Sequence, residues 1–180
     1  TALAEGRQPV VLADYSDRSG NATWVLREVI EQDLGGVVIA TLRDDRVLTA
    51  LAESRAKAGD AFDREVGGYI DESAGKPVRV NGVLARVETD DEGRVRSAQV
   101  NFGRGNLLLL SPQLVQIVDP ESLRTEGVEI EDFQVFAIKS RVHFRRGFDD
   151  NGFAETILLT EPPGPFMGTV HLDALDYENL

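Results

Sequence analysis

The first third of the chain alternates short unbroken apolar runs with segments of helical spacing. Pro9-Val10-Val11-Leu12-Ala13 is apolar at every position, as expected for a strand covered on both faces. It runs into Asp14-Tyr15-Ser16-Asp17-Arg18-Ser19-Gly20-Asn21, a turn-rich loop. Trp24, Val25, Leu26, Val29, Ile30 and Leu34 then recur at intervals that place them on one helical face, with Asn21 or Thr23 as the cap and Gly35-Gly36 as the stop. Val37-Val38-Ile39-Ala40 predicts a second buried strand. Asp44 or Asp45 opens a second helix that carries Val47, Leu48, Leu51 and Ala52 on one side. A strand, helix, strand, helix order predicts parallel strands joined by right-handed crossovers.

From Gly59 to about Val118 the period changes to two. Val78–Val87, Val95–Phe102 and Asn106–Val118 alternate apolar and polar residues, with turn signals at Asn81-Gly82, read as a two-residue hairpin, and at Asp91-Glu92-Gly93. This block predicts an inserted antiparallel β subdomain at about 59–118 within one domain spanning 1–180. Asp119-Pro120 starts a short helix over Glu121–Thr125, Glu129–Phe133 forms a turn or helix start, and Val135–Ile138 is another buried strand. A final strand is predicted at Thr156–Leu159, ahead of a proline-rich tail that packs through Phe166 and Leu172. The fold class is therefore α/β, a small parallel or mixed sheet with flanking helices and an antiparallel insertion.

Composition narrows the function classes. A chain of 180 residues is long enough to bury its own core. Its 31 acids against 19 Lys and Arg, a net charge of −12, repel nucleic-acid backbones and anionic lipid surfaces. No apolar run approaches the roughly 20 residues a membrane helix needs, and no signal-peptide pattern opens the chain, so the expected location is cytoplasmic. With no cysteine, disulfides, thiolate nucleophiles and Cys-ligated metals are excluded.

Against that acidic background one basic island stands out. Lys139, Arg141, Arg145 and Arg146 fall within eight residues that contain no acid and that also hold Ser140 and His143. Two readings are open: a solvated or internally paired structural cluster, or a site for an anionic group. His143 and His171 are the only imidazoles and lie 28 residues apart, which is a poor basis for a zinc or iron site within this chain. Asp14 and Asp17, at the end of a strand, suit Mg²⁺ or serve as turn residues. Ser140 and His143 lack a nucleophile elbow, and Gly103-Arg104-Gly105 lacks the third glycine and following helix of a phosphate loop, so a hairpin turn is its expected role.

Three motifs, in order and covering nearly the whole chain, carry a family resemblance. Pro9-Val10-Val11-Leu12-Ala13-Asp14-x-x-Asp17, Gln116-x-x-Asp119-Pro120 and Lys139-Ser140-x-x-His143-Phe144-Arg145-x-x-Phe148 resemble the C-terminal domain of the microcystinase MlrC-type metallopeptidases, the last being the most specific. The loop after the first aspartates departs from the family's glycine-rich Asn-Pro-Gly-Gly-Gly type, reading Arg18-Ser19-Gly20-Asn21-Ala22. The resemblance implies a piece of a longer protein whose N-terminal half supplies zinc ligands and the main catalytic groups. This chain then holds no cofactor and no catalytic residue of its own. Its expected partner is that metal-binding half, whose substrate cleft it completes or whose structure it stabilises; a homo-oligomer is compatible with this, and nucleic acid and membrane are not expected. Asp14, Asp17, Lys139, Ser140, His143 and Arg145 are the expected polar cluster, either structural or lining the cleft. The alternative function is a non-enzymatic module for a small anion or for protein assembly.

Overall fold

The computed structural model describes residues 4–14, 19–140 and 142–162. Eight strands form one mixed sheet: β1 Val10–Asp14, β2 Val37–Arg43, β3 Ala61–Val66, β4 Val78–Thr89, β5 Val95–Phe102, β6 Asn106–Ser111, β7 Val135–Lys139 and β8 Thr156–Thr160. Their order across the sheet is β3-β4-β5-β6-β2-β7-β1-β8. The five strands from β6 to β8 run parallel, and β3 to β6 run antiparallel, so the predicted antiparallel block extends the same sheet at one side.

The apolar runs are explained by what covers the sheet. Successive residues of a strand point to opposite faces. Val10 and Leu12 accordingly meet the cluster built with helices α1 (Trp24–Glu31) and α2 (Asp45–Glu53), whereas Val11 and Ala13 join the opposite cluster. That second cluster includes Leu123 of helix α3 (Pro120–Thr125), Ile130, Phe144 and Phe148. With both faces roofed, a parallel strand has no solvent side and needs no polar alternation. Phe136 and Phe148 are fully buried, and each meets Phe153 edge-on, with ring centroids 5.3 and 5.7 Å apart. Truncating a core phenylalanine of this kind to alanine typically costs about 3–5 kcal/mol.

The helix starts follow capping chemistry. Asp44 is the cap of α2: one carboxylate oxygen accepts from Val47 N at 3.1 Å and the other from Gly67 N at 2.8 Å, tying the helix to the end of β3. Asp119 caps α3, accepting from Ser122 N at 2.7 Å, with Pro120 in the first helical turn where a missing N–H has no cost. Thr23 precedes α1 without a side-chain cap; its hydroxyl donates instead to Lys76 O at 2.7 Å.

Two local expectations are corrected. Asn81-Gly82 is not a hairpin turn but the middle of the twelve-residue strand β4, paired with Asp63 and Phe62 on one side, while Gly82 also faces Phe102 on the other. A Cβ at Gly82 would stand 2.1 Å from Asn101 O, so the glycine serves a close backbone approach between strands. The link from β3 to β4 is the longer segment 67–77, which contains a 3₁₀ turn at Glu72–Ala74. The strand expected over Asn106–Val118 ends at Ser111, whose hydroxyl donates to Gln113 O at 2.7 Å, and Pro112 follows without an N–H to continue the ladder. The Asp91–Gly93 and Gly103–Gly105 turns lie between β4 and β5 and between β5 and β6, as expected.

Candidate functional site: the carboxyl edge of the parallel strands

Strand register brings the sequence-distant motifs together. Asp14, the last residue of β1, is paired with Lys139 of β7 on one side and Thr160 of β8 on the other. Parallel neighbours end at the same edge, which is where open α/β sheets bind ligands. Lys139 Nζ donates to Asp14 Oδ2 at 2.9 Å and to Ala22 O at 3.0 Å. The two charged side chains are only 6% and 5% exposed. The pair therefore acts as an internal brace: its ammonium links β7, β1 and the chain leading into α1.

Ser140 continues the brace into the next segment. Its N–H donates to Asp14 O at 3.1 Å, and its hydroxyl accepts from Phe144 N at 3.0 Å, which starts the turn after β7. That turn becomes a π-helical segment, Arg145–Asp149. Gly147 sits where a Cβ would lie 1.7 Å from Val118 O, so the segment packs tightly on the chain before α3. Burying Phe144 and Phe148 turns His143, Arg145 and Arg146 outward. His143 Nδ1 lies 3.2 Å from Gln116 Oε1, and the Arg145 guanidinium stands 5.4 Å from the Phe144 ring. Neither Arg145 nor Arg146 makes an ion pair among the described residues.

Of the six residues singled out in the sequence, Asp14, Lys139 and Ser140 thus form one buried cluster. His143 and Arg145 lie on the exposed turn that Ser140 initiates. Asp17, like His171, lies outside the described residues. Two contributors went unrecognised in the sequence. Asn21 was read only as a helix cap, yet it is wholly buried and its side chain donates to Arg43 O at 2.6 Å while accepting from Tyr69 N at 2.8 Å and Ile70 N at 3.2 Å. Asn in a strand-to-helix loop carries no sequence signal that separates this role from an ordinary turn. Trp24 was read as a helix-face residue, and its indole N–H donates to Ser73 O at 2.9 Å.

Two cavities flank Trp24. One, of about 350 Å³, is lined by Leu12, Asp14, Trp24, Val25, Glu28 and Thr160. The other, of about 620 Å³, is lined by Trp24, Arg27, Tyr69, Asp71, Glu72 and Lys76. Near the second, Tyr69 donates its hydroxyl to Asp45 and stacks under Arg46, whose guanidinium is 3.3 Å from the ring centre. Burial, and then the bond to Asp45, push the Tyr69 phenol up to about 12, and the same bond holds the Asp45 carboxyl below its usual value.

The donor set of the described residues does not suit zinc. Among the described residues no group of three or more His, Asp or Glu side chains converges, and His143 faces a glutamine amide. No step of a reaction is therefore routed through a metal held by these residues. Among the described residues no helix is long and apolar enough to cross a membrane.

The family described as "MlrC C-terminus" matches residues 18–179. The chain belongs to the MlrC C-terminus family. As an MlrC C-terminal domain it is 28% identical over 163 residues to "Microcystinase C" of Sphingomonas sp., a match that takes in 84% of this chain and 32% of that protein. Its fold superposes on the crystal structure of a candidate metallopeptidase from Mesorhizobium sp. BNC1 with a TM-score of 0.74 and 17% identity, over 91% of this chain and 35% of that one. The MlrC C-terminal domain thus spans about a third of the length of the relatives it matches.

Proposed function

We propose that residues 1–180 form a single C-terminal domain of an MlrC-like metallopeptidase or hydrolase, with the antiparallel block at about 59–118 as an addition to its sheet. In this reading the domain is not catalytic alone. Its carboxyl edge forms one wall of the substrate cleft, and the rest of the protein brings the zinc and the reacting groups. The observation that supports this best is the placement of the most family-specific motif. Lys139 and Ser140 are spent internally, bracing Asp14, whereas His143 and Arg145, three and five residues later than Ser140, are left facing solvent. Structure alone needs the first pair and does not need the second. An arginine with no ion pair among the described residues, in a chain of net charge −12, suits an anionic group brought by substrate or by the missing half.

The test is Arg145→Ala made in the full-length parent and in this chain. Because the side chain is exposed, the isolated chain should keep its urea midpoint, with a change within about 0.5 kcal/mol. Peptide hydrolysis by the parent should fall by roughly tenfold or more, the worth of one charge-assisted hydrogen bond to substrate. A parent of unaltered activity rejects Arg145 as a cleft residue, and a large loss of stability in the isolated chain assigns it to structure instead.

A further inference from the structure

The two edges of the sheet are built differently. β3, at one edge, carries Asp63, Arg64 and Glu65 among its six residues, and Asp63 pairs with Arg79 at 2.6 Å. Charges on an edge strand keep it from recruiting another strand. β8, at the other edge, reads Thr156-Ile157-Leu158-Leu159-Thr160, without charge, proline or bulge. Its Leu158 and Leu159 are 48% and 57% exposed. An uncharged apolar edge of this kind is a template for one more strand.

Register and hydrogen bonding define what fits there. Val10 N–H donates to Gln134 O beside β7, whereas Thr156 N–H donates to Pro9 O at 3.4 Å. Alternation along β8 therefore turns the N–H and C=O of Ile157 and Leu159 away from β1, and no described residue bonds to them from the outer side. Leu158 is in register with Leu12 and Leu159 with Ala13, residues that belong to opposite faces of the sheet. A helix laid on either face would cover one leucine and leave the other. An added strand takes up the outward backbone groups and flanks both.

Charge, size and the course of the chain choose the occupant. Two-fold pairing of β8 with its copy over all five residues sets Glu155 against Glu161 at both ends, and each copy carries a net charge of −12. Five residues also make a short interface beside the roughly 1,200 Å² or more that a stable complex buries. A segment of the same polypeptide escapes that limit, since tethering holds it at an effective concentration on the order of millimolar. Residues 4–9 lead into β1, the immediate neighbour of β8, and Pro9 O accepts from Glu155 N at 3.0 Å as well as from Thr156 N. Microcystinase C is matched over 32% of its length by a region that the family describes as a C-terminus, which puts the remaining chain of a protein built alike ahead of residue 1, on the side of the sheet where β8 lies open.

We propose that the β8 edge docks an extended segment from the N-terminal part of the parent protein. The segment pairs with Ile157 and Leu159 through its backbone and places apolar side chains against Leu158 and Leu159. It carries a Lys or Arg beside Glu155, which is exposed and makes no ion pair among the described residues. The proposal rests on the preceding reading for that N-terminal part, and it concerns how the two parts are joined rather than the cleft.

Hydrogen exchange of the β8 amides, followed on this chain and on the full-length parent, is the test. In the isolated chain the Ile157 and Leu159 amides should exchange as exposed groups do, at a rate independent of protein concentration. In the parent both should slow by roughly a hundredfold or more, as amides of a paired strand do. Leu159→Lys gives β8 the kind of charge that β3 carries. At this exposed position it should leave the urea midpoint of the isolated chain nearly unchanged and return the parent's Ile157 amide to fast exchange, whereas Leu159→Met should keep that amide slow. The proposal is overturned if the two amides exchange alike in chain and parent, if Leu159→Lys leaves the parent's protection in place, or if the isolated chain already protects them. In that last case, slowing that grows with concentration identifies a second copy as the occupant, and slowing that is lost on removing residues 163–180 identifies the chain's own tail. Hydrolysis by the same parent is read separately: an open β8 edge beside Arg145-dependent activity removes the docking site and leaves the cleft-wall reading intact, and a protected edge beside Arg145-independent activity does the reverse.

Discussion

Replacing Lys139 with methionine separates the brace from an ordinary surface ion pair. The side chain keeps its length and loses its charge. Asp14 and Lys139 are both about 95% buried at the side chain, and the ammonium serves Asp14 Oδ2 at 2.9 Å and Ala22 O at 3.0 Å. Lys139→Met therefore takes from a buried carboxylate and from the Ala22 carbonyl the ammonium donor they share. Breaking one partner of a buried pair costs about 3–5 kcal/mol, against about 0–1 kcal/mol for an exposed pair. For a domain of this size that lowers Tm by roughly 6–20 °C, taking about 2–4 °C per kcal/mol. Asp14→Leu combined with Lys139→Met removes both charges, and what remains is mainly the Ala22 carbonyl, worth about 1–3 kcal/mol. The double variant should thus be more stable than Lys139→Met alone. Urea unfolding of the wild type, both single variants and the double closes the cycle. A loss below about 1 kcal/mol for Lys139→Met, or losses that simply add in the double variant, would refute the argument that these two charges are mutually dependent and desolvated.

Three further outcomes are expected. After dialysis the isolated chain should retain no stoichiometric zinc by elemental analysis, since it has two imidazoles and no thiol; one retained equivalent would contradict the donor argument. Tyr69 has a folded value, about 12, above its ordinary 10.0, so its share of stability is complete below pH 10 and is lost as the pH rises through about 12. In Tyr69→Phe that alkaline leg of the urea midpoint should flatten, and an unchanged profile would show that the phenol contributes nothing there. Asp119→Ala should cost about 1 kcal/mol at neutral pH through the lost α3 cap. The bonds from Ser122 hold the Asp119 carboxyl below its ordinary 3.8, so the cap's contribution is present above that value and fades as the pH falls through the folded one; a difference from wild type that persists undiminished in strong acid would count against an ionised cap.

Much of the element order was readable because local rules and tertiary context agree. The runs at Val10, Val37 and Val135 are strands since both faces of the parallel sheet are roofed, and Asp44 and Asp119-Pro120 mark helix starts because capping is a local matter of a few residues. Asn81-Gly82 misled because the same dipeptide suits a turn or a tight strand crossing, and only the nearness of Asn101 distinguishes them. The π-helical segment at Arg145–Asp149 had no reading either, since its register is set by burying Phe144 and Phe148 on one side and by the tight contact of Gly147 with Val118.

The sequence by itself determined the α/β class, the acidic surface, the absence of thiol chemistry and the motif that carries the family membership. Tertiary structure alone decided the site. Asp14 and Lys139 are 125 residues apart, and their pairing depends on β7 entering between β1 and β2, an order that no local pattern encodes. The same insertion decides which members of one basic island are buried and which stay outside: Lys139 still belongs to the strand and is drawn under the edge, whereas Arg145 follows the turn and meets water. Charge is a property of the residue, but its desolvation is set by the neighbours that folding brings from elsewhere in the chain.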